Sequence, residues 1–489
     1  MGIQVALKFP MHAFNLSAVF FTINPIPSKQ TRTMNAALTN QEKQPPLVSG
    51  LPILGNTINM INAPIDFIVD QYHKLGPVFK VNTVNQQIVF MAGLEANQFL
   101  SRAANDYLMT GEIWGSFGKS IGADKFLVAL DGEEHFKFRK VMMRGYSPKM
   151  LTNRIPKVAE ITRKMVLKKM KNKGEIQVTS FIQRLVCEQL GILLANRAPG
   201  KYYKPLAFYV RTLLNVNIVR MWPRIALYRP KFLMAQEKAN KFGEKLIYEH
   251  MVAPNTENPD LIDDILKAVY EEGLELTRPE LLLAVVGPFM AGMDTVTNTL
   301  AALIYALAKH RDVLKRVQEE IDPLFENGLP NVKTLGNLPV LHAALMETLR
   351  RYPVAPMIPR TVAQPFEFGG YQFEKGQTVY MAQGVTHFLP ELFPEPYQFD
   401  IDRHLAPRFE YRQKNALSPY GLGAHKCLGF QLGELQMMLT IALLVHLVDF
   451  QLVPHNYEIK FQTIPTLGPE PKFTVRLIPR NIHKKMNGN

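Results

Sequence analysis

The stretch YGLGAHKCLGF, residues 420–430, holds one of only two cysteines in a chain of 489 residues. Gly421, Gly423 and Gly429 stand around Cys427, with His425 two positions before it and an apolar run after it. Structural zinc needs about four ligands at close spacing, and the other cysteine, Cys187, is remote in sequence. Covalent c-type haem attachment needs a C-x-x-C-H run, and cysteine proteases carry signatures of their own; neither is present. An inert buried thiol is the usual fate of a lone cysteine, but it leaves the glycines unexplained. Glycine lets backbone pack closely around a sulfur and turn amide N–H groups toward it. Such donors suit a thiolate.

Around this loop the chain reads as a large, well-cored protein. Its length exceeds the usual domain of roughly 100–200 residues, which allows two or three domains or one large fold. With 47% hydrophobic and 20% charged residues the composition is that of a globular protein. Lys and Arg outnumber Asp and Glu by 56 to 42, a net +14, which favours an acidic partner, an anionic membrane surface or nucleic acid. No nucleic-acid module and no interleaving of aromatic with basic residues is present, so nucleic acid is set aside. Two distant cysteines make no disulfide framework and point to a reducing compartment. Residues 13–27, AFNLSAVFFTINPIP, are apolar but shorter than the roughly 20 residues of a spanning helix. They also lack the flanks and cleavage site of a signal peptide. Residues 1–33 are expected to be a poorly ordered extension or an over-long gene reading, with an interfacial anchor as the alternative.

Residues 77–93 alternate and are rich in β-branched side chains, which predicts a strand pair. The pattern is mostly helical from about 131 to 320, short strands with glycine turns return over 364–382, and helix resumes after Gly429. One helix stands out. Thr277 and Glu280 have capping-box spacing, and from Leu281 to Ala308 the only charge is Asp294. A transmembrane span and a buried central helix fit that pattern equally in period. Gly287, Pro288, Gly292 and the polar run Asp294, Thr295, Thr297, Asn298 and Thr299 favour burial in a large fold.

Tyr420, Gly423, Cys427 and Gly429 resemble the cysteine-loop signature of the cytochrome P-450 family, the haem-thiolate monooxygenases, with Tyr420 where Phe is usual. The resemblance covers roughly residues 45–480. It implies that Cys427 is the axial ligand of haem iron. Glu347 and Arg350 in ETLR resemble the family's E-x-x-R, with Arg403 as partner, which implies a buried structural charge network. His135 and Arg139 resemble the pair that binds haem propionates, and Arg360 and His425 match further propionate contacts. AGMDT, residues 291–295, resembles the oxygen-activation segment. There Ala291 and Gly292 would leave room for dioxygen, while Asp294 and Thr295 would relay protons. A threonine in a helix also commonly bonds back to the preceding turn. Cys187 reads as core filler.

By this resemblance the fold is mainly α with small β-sheets (α+β), a single large unit with haem between the long central helix and the cysteine-loop helix. Residues 1–45 would be an N-terminal extension, 46–480 the catalytic domain and 481–489 a tail. The implied protein is a soluble, bacterial-type member, monomeric and cytoplasmic, with peripheral membrane contact open. It would use haem b and O2 to oxygenate a hydrophobic substrate such as a fatty acid, terpenoid or sterol. Electrons derived from NAD(P)H would come through a reductase and a ferredoxin or flavodoxin-type donor, docked on a basic face around Lys137, Arg139, Lys140 and Lys426. The alternatives are a haem-thiolate isomerase or peroxygenase needing no reductase, and a non-catalytic haem sensor. The segments 107–126, 206–235 and 354–359 are expected to line the substrate pocket.

Overall fold

The computed structural model describes residues 43–84, 86–326, 328–463 and 466–480. The apolar stretch 13–27 and the tail 481–489 lie outside the described residues.

Strand patterning near the N-terminus produces a hairpin, β1 (Val78–Asn82) against β2 (Gln87–Ala92), with Val78 opposite Met91. This hairpin is not a separate sheet. β2 pairs in parallel with β8 (Thr378–Ala382), which pairs antiparallel with β5 (Ile358–Val362), and β5 with the short β3 (Leu108–Met109). One five-stranded sheet thus joins the two stretches that the sequence reading kept apart. β5 lay outside the strands expected over 364–382, and it carries Pro359, a residue that normally demotes a strand. Here Pro359 has a place in the ladder, opposite Tyr380. Between β5 and β8, β6 (Phe366–Phe368) and β7 (Tyr371–Phe373) form a hairpin turned by Gly369 and Gly370, both at positive φ.

A second sheet has the order β4 (Glu175–Gln177), β12 (Thr474–Pro479), β9 (Val448–Val453). β4 interrupts the region read as helical. A short pair, β10 (Phe461–Gln462) with β11 (Gly468–Pro469), completes the β structure among the described residues.

Helix makes up most of the rest. The central helix, Arg278–Lys309, runs 32 residues and continues through Pro288; at 1.5 Å per residue that is about 48 Å. Its start is set as expected, with the Thr277 N–H donating to Glu280 Oε2 at 2.8 Å. The other Glu280 oxygen accepts from the Lys125 N–H at 2.8 Å, which ties the loop after the helix Gly111–Ile121 to the entrance of the central helix. The helix packs on Val178–Ala195 and Pro230–Val252. Close approach to the first depends on Gly292, because a Cβ there would meet Leu190 Cδ1 at 3.1 Å. Gly292, expected to leave room for dioxygen, has this further role of admitting a neighbouring helix.

Val178–Ala195, Arg278–Lys309 and Phe430–Leu447 are long and apolar enough to cross a membrane by length and composition alone. In this fold they are core helices that pack against other helices, with buried runs such as Leu300–Leu307 and Met437–Val445. An apolar helix of this kind needs no lipid when protein covers it on all sides. Cys187 is fully buried among them, and burial pushes its thiol up to about 12.

Candidate active site

The cysteine loop leaves the 3-10 turn Ile401–His404 and ends at the start of the helix Phe430–Leu447. Gly421 and Gly423 have φ of 75° and 70°, the left-handed region that glycine adopts without strain. Gly423 has a second reason to be glycine: a Cβ would stand 2.6 Å from the Leu100 carbonyl oxygen. The loop closes on itself where the Cys427 N–H donates to Tyr420 O at 2.7 Å. Of the three glycines, only Gly429 turns its N–H to the thiol. Gly423 packs against the helix Leu94–Arg102, not around the sulfur, which corrects the expectation from sequence.

Cys427 is exposed, yet burial is the main influence on its thiol and pushes it up. Both hold if the surface it shows is the wall of an interior cleft. The Gly429 N–H and the charges of Arg139 and Lys426 pull the other way without winning. A coordinated cation would complete the ionisation, since metal binding deprotonates a thiol.

Near the loop lies a cluster of donors. His135 and Arg139 are one turn apart on the helix Gly132–Arg144. His135 is 1% exposed, its Nε2 has no partner, and its ring lies 4.2 Å from that of His425. Burial, then His425 and Arg139, push His135 down to about 4, so it is a neutral donor at physiological pH. Arg139 Nη2 donates to Lys426 O at 2.8 Å, which turns this arginine into the site and away from the basic outer face. Arg360, on β5, is 9% exposed and donates only to Pro359 O, at 2.9 Å; burial pushes it down to about 10. Neither arginine has an ion-pair partner among the described residues.

Asp131, which the sequence reading passed over, organises this cluster. Its carboxylate accepts from the Thr110 and Gly111 N–H groups, each at 2.9 Å, and pairs with His425 Nε2 at 3.1 Å. These contacts overcome burial and hold its carboxyl below the usual range. Its one sequence signal was its place just before the helix Gly132–Arg144, an ordinary cap position. His425, expected on a propionate, is therefore held through Asp131 and packed against His135, the two rings tilted by 34°. An orphaned buried nitrogen, a buried arginine and a half-buried one, neither arginine in an ion pair, suit an added dianion, and the propionates of haem are one.

The Glu347 network is buried apart from its outer member, Glu410. Arg350 and Glu347 are fully buried and Arg403 is 1% exposed. Arg403 Nε reaches Glu347 Oε1 at 3.2 Å, and its Nη1 pairs with Glu410 Oε2 at 2.8 Å. His404 joins from the same 3-10 turn, with Nε2 2.9 Å from Glu347 Oε2, a member the sequence reading did not assign.

On the central helix, Ala291 and Thr295 are exposed while Met293, Val296 and Thr297 are buried. One stripe of an otherwise packed helix thus opens on a space. Thr295 Oγ1 donates to Ala291 O at 2.8 Å, the ordinary bond to the preceding turn. Asp294 points elsewhere: it accepts from Gln183 Nε2 at 2.6 Å across the interface with Val178–Ala195. Burial pushes its carboxyl up, against the pull of Gln183 and Arg211. The structure therefore does not join Asp294 to Thr295 directly. Of the segments expected to line the pocket, 107–126 and 206–235 do meet. An open cavity of about 400 Å³ lies between them, bounded by Ser116, Asn217, Arg220, Trp222 and Arg224.

A family model described as "Cytochrome P450" matches residues 45–475. A relative in Synechocystis sp., "Putative cytochrome P450 120", is 27% identical over 439 residues, 88% of this chain and 96% of its own. "Lanosterol 14-alpha demethylase" of Cunninghamella elegans is 23% identical, covering 89% of this chain and 92% of its own. The solved structure "Retinoic acid bound cyanobacterial CYP120A1" matches with a TM-score of 0.77 at 25% identity, over 90% of this chain and 100% of its own. The haem domain of cytochrome P450DA matches with a TM-score of 0.79 at 20% identity, over 91% of this chain and 99% of its own.

Proposed function

The chain belongs to the cytochrome P450 family and is a haem-thiolate oxidoreductase, and from that premise we propose that it is a monooxygenase of a hydrophobic isoprenoid or fatty-acid substrate, served by a separate electron donor. Bound haem, as non-covalent haem b, would supply oxygen activation, with a thiolate ligand favouring O–O cleavage. The residues present fit it. Cys427 would hold the iron, and His135, Arg139 and Arg360 the propionates, with His425 steadied by Asp131. Glu347, Arg350 and Arg403 would fix the loop that carries the thiol. Ala291 leaves its stripe of the central helix uncrowded, and Thr295 places a hydroxyl there that can donate or accept a proton. Asp294, a half-buried carboxyl with raised affinity for a proton, is suited to bring protons from solvent.

The substrate class rests on the composition of the pocket segments and on the relatives' titles, which include a retinoic acid complex, sterol demethylases and a "Cyclooctat-9-en-7-ol 5-monooxygenase" of Streptomyces melanosporofaciens. An acidic ferredoxin or flavodoxin-type donor would dock on the face carrying Lys137, Lys140 and Lys426, although Lys137 is already paired with Glu133 at 2.8 Å. The protein would act as a cytoplasmic monomer. Exposed Met221, Ile225 and Tyr228 among Arg220, Arg224 and Arg229 would suit peripheral contact with an anionic membrane.

The observation that carries the reading is Cys427: an accessible thiol that takes the Gly429 N–H at a helix start beside two cations. The test is the carbon monoxide difference spectrum of the dithionite-reduced protein. A strongly red-shifted Soret band that Cys427→Ser abolishes supports the reading, and an unshifted band removes it. Oxygen use that depends on NADH and surrogate redox partners then separates a monooxygenase from a peroxygenase or sensor.

A further inference from the structure

We propose that Gln183 and Tyr203 are positioning residues for Asp294, forming a neutral clamp of two successive hydrogen bonds that sets where its carboxylate points. The inference rests on the monooxygenase reading for what Asp294 does, though not for the clamp itself. Tyr203, at the start of the helix Tyr203–Asn217, donates its hydroxyl to Gln183 Oε1 at 2.7 Å. Gln183 Nε2 then donates to Asp294 Oδ1 at 2.6 Å. Three helices are joined in this way through one amide.

Chemistry fixes the direction of the chain. An amide can turn either end toward a neighbour, but a carboxylate needs a donor, so the NH2 must face Asp294. The oxygen then faces Tyr203, whose hydroxyl can donate. Tyr203 is itself held: the Arg184 guanidinium lies over its ring, 4.7 Å from the centroid, and Arg184 is paired with Glu188. Glu188 also accepts from the Gly200 N–H at 3.2 Å, which pins the turn leading into the helix that Tyr203 opens. With each partner fixed by the next, Gln183 cannot flip without losing its bond to Asp294, since a carboxylate offers no donor to the amide oxygen.

The consequence lies in charge. A lysine or arginine in Gln183's place would neutralise the carboxylate and hold it in an ion pair. A neutral amide orients Asp294 while leaving its charge available, so the carboxyl can take up a proton and leave the clamp for the loss of one hydrogen bond. The titratable or charged groups that face Asp294 are Arg211 and Tyr203 from one helix and Cys187 from another. Arg211 alone carries positive charge, and it stands on the exposed face of its helix.

The experiment uses the haem-loaded enzyme and four variants: Gln183→Leu, the isosteric Gln183→Glu, Tyr203→Phe, and Gln183→Leu with Tyr203→Phe. The first readout is an infrared titration of the protonated Asp294 carbonyl band, assigned by its loss in Asp294→Asn. The second is product formed per NADH across pH. Gln183→Leu is expected to move the band's midpoint upward and to cut product per NADH several-fold, with substrate affinity unchanged. Gln183→Glu, which loses the donor and adds a charge, should move the midpoint at least as far. Tyr203→Phe should give a smaller shift in the same direction, and the double variant should be no worse than Gln183→Leu. An unmoved midpoint in both Gln183 variants overturns the clamp. So does a Tyr203→Phe effect that persists in full without Gln183. The infrared midpoint can be read whether or not the enzyme turns over, so a failed monooxygenase assay would leave this result standing.

Discussion

Arg350 grips Glu347 by both carboxylate oxygens, Nε to Oε2 and Nη2 to Oε1, each at 2.8 Å, and neither side chain has any exposure. An ion pair this deep contributes little net stability over an apolar pair of the same shape, but breaking it leaves a buried charge without its partner. Arg350 Nη1 also donates to His387 O at 2.6 Å, so its removal orphans a second buried acceptor. Arg350→Ala should therefore cost about 3–5 kcal/mol in chemical denaturation and give protein that fails to retain haem. A stable, fully loaded variant would show that Arg403 and His404 suffice.

The same network sets an acid limit on stability. Burial pushes the Glu347 carboxyl up, but the hydrogen bonds from Arg350 and His404 win and hold it at about 2. A carboxyl lowered on folding stabilises the folded chain above its unfolded value and stops doing so as pH falls through its folded value. Melting temperature should therefore drop between about pH 4.5 and 2. In Glu347→Gln that share of the drop should be missing, on a baseline already lowered at neutral pH. A melting profile parallel to wild type through this window would contradict the assignment.

His135→Phe keeps an aromatic ring against His425 and deletes the unpartnered Nε2. A hydrogen bond to a charged group is worth about 1.5–3 kcal/mol, so haem should leave the variant about ten- to a hundredfold faster. Transfer of haem to apomyoglobin measures this.

Whatever depends on local spacing was legible in the sequence: the glycines that turn the cysteine loop, the i,i+3 pair Glu347 and Arg350, and the capping box at Thr277. A helical period or a turn imposes such patterns directly. What escaped depends on which elements come together. His404 looked like a neighbour of Arg403 until the 3-10 turn Ile401–His404 placed both on one carboxylate. Asp131 read as a helix cap because His425 and the Thr110 amide arrive from distant segments. Gln183 carried no signal at all, since its two partners lie on other helices and an amide at that position is unremarkable in composition. Gly292 shows the converse: its smallness was visible, but the neighbour requiring it was not.

Thr295 tests the division of labour on the central helix. Its hydroxyl donates to Ala291 O at 2.8 Å on an exposed stripe, while Asp294 is turned to Gln183. The bond to Ala291 adds little to a helix that tertiary packing already holds, so Thr295→Ala should fold, bind haem and bind substrate as wild type does. Without the hydroxyl, the step after Asp294 is left to water alone. NADH consumption should continue while product per NADH falls several-fold and hydrogen peroxide rises to match. Thr295→Ser keeps an oxygen at the same place and should recover most of the coupling. If Thr295→Ala kept full product per NADH, the hydroxyl would be only a helix-bonding group, and the proton route would have to run from Asp294 by water without it.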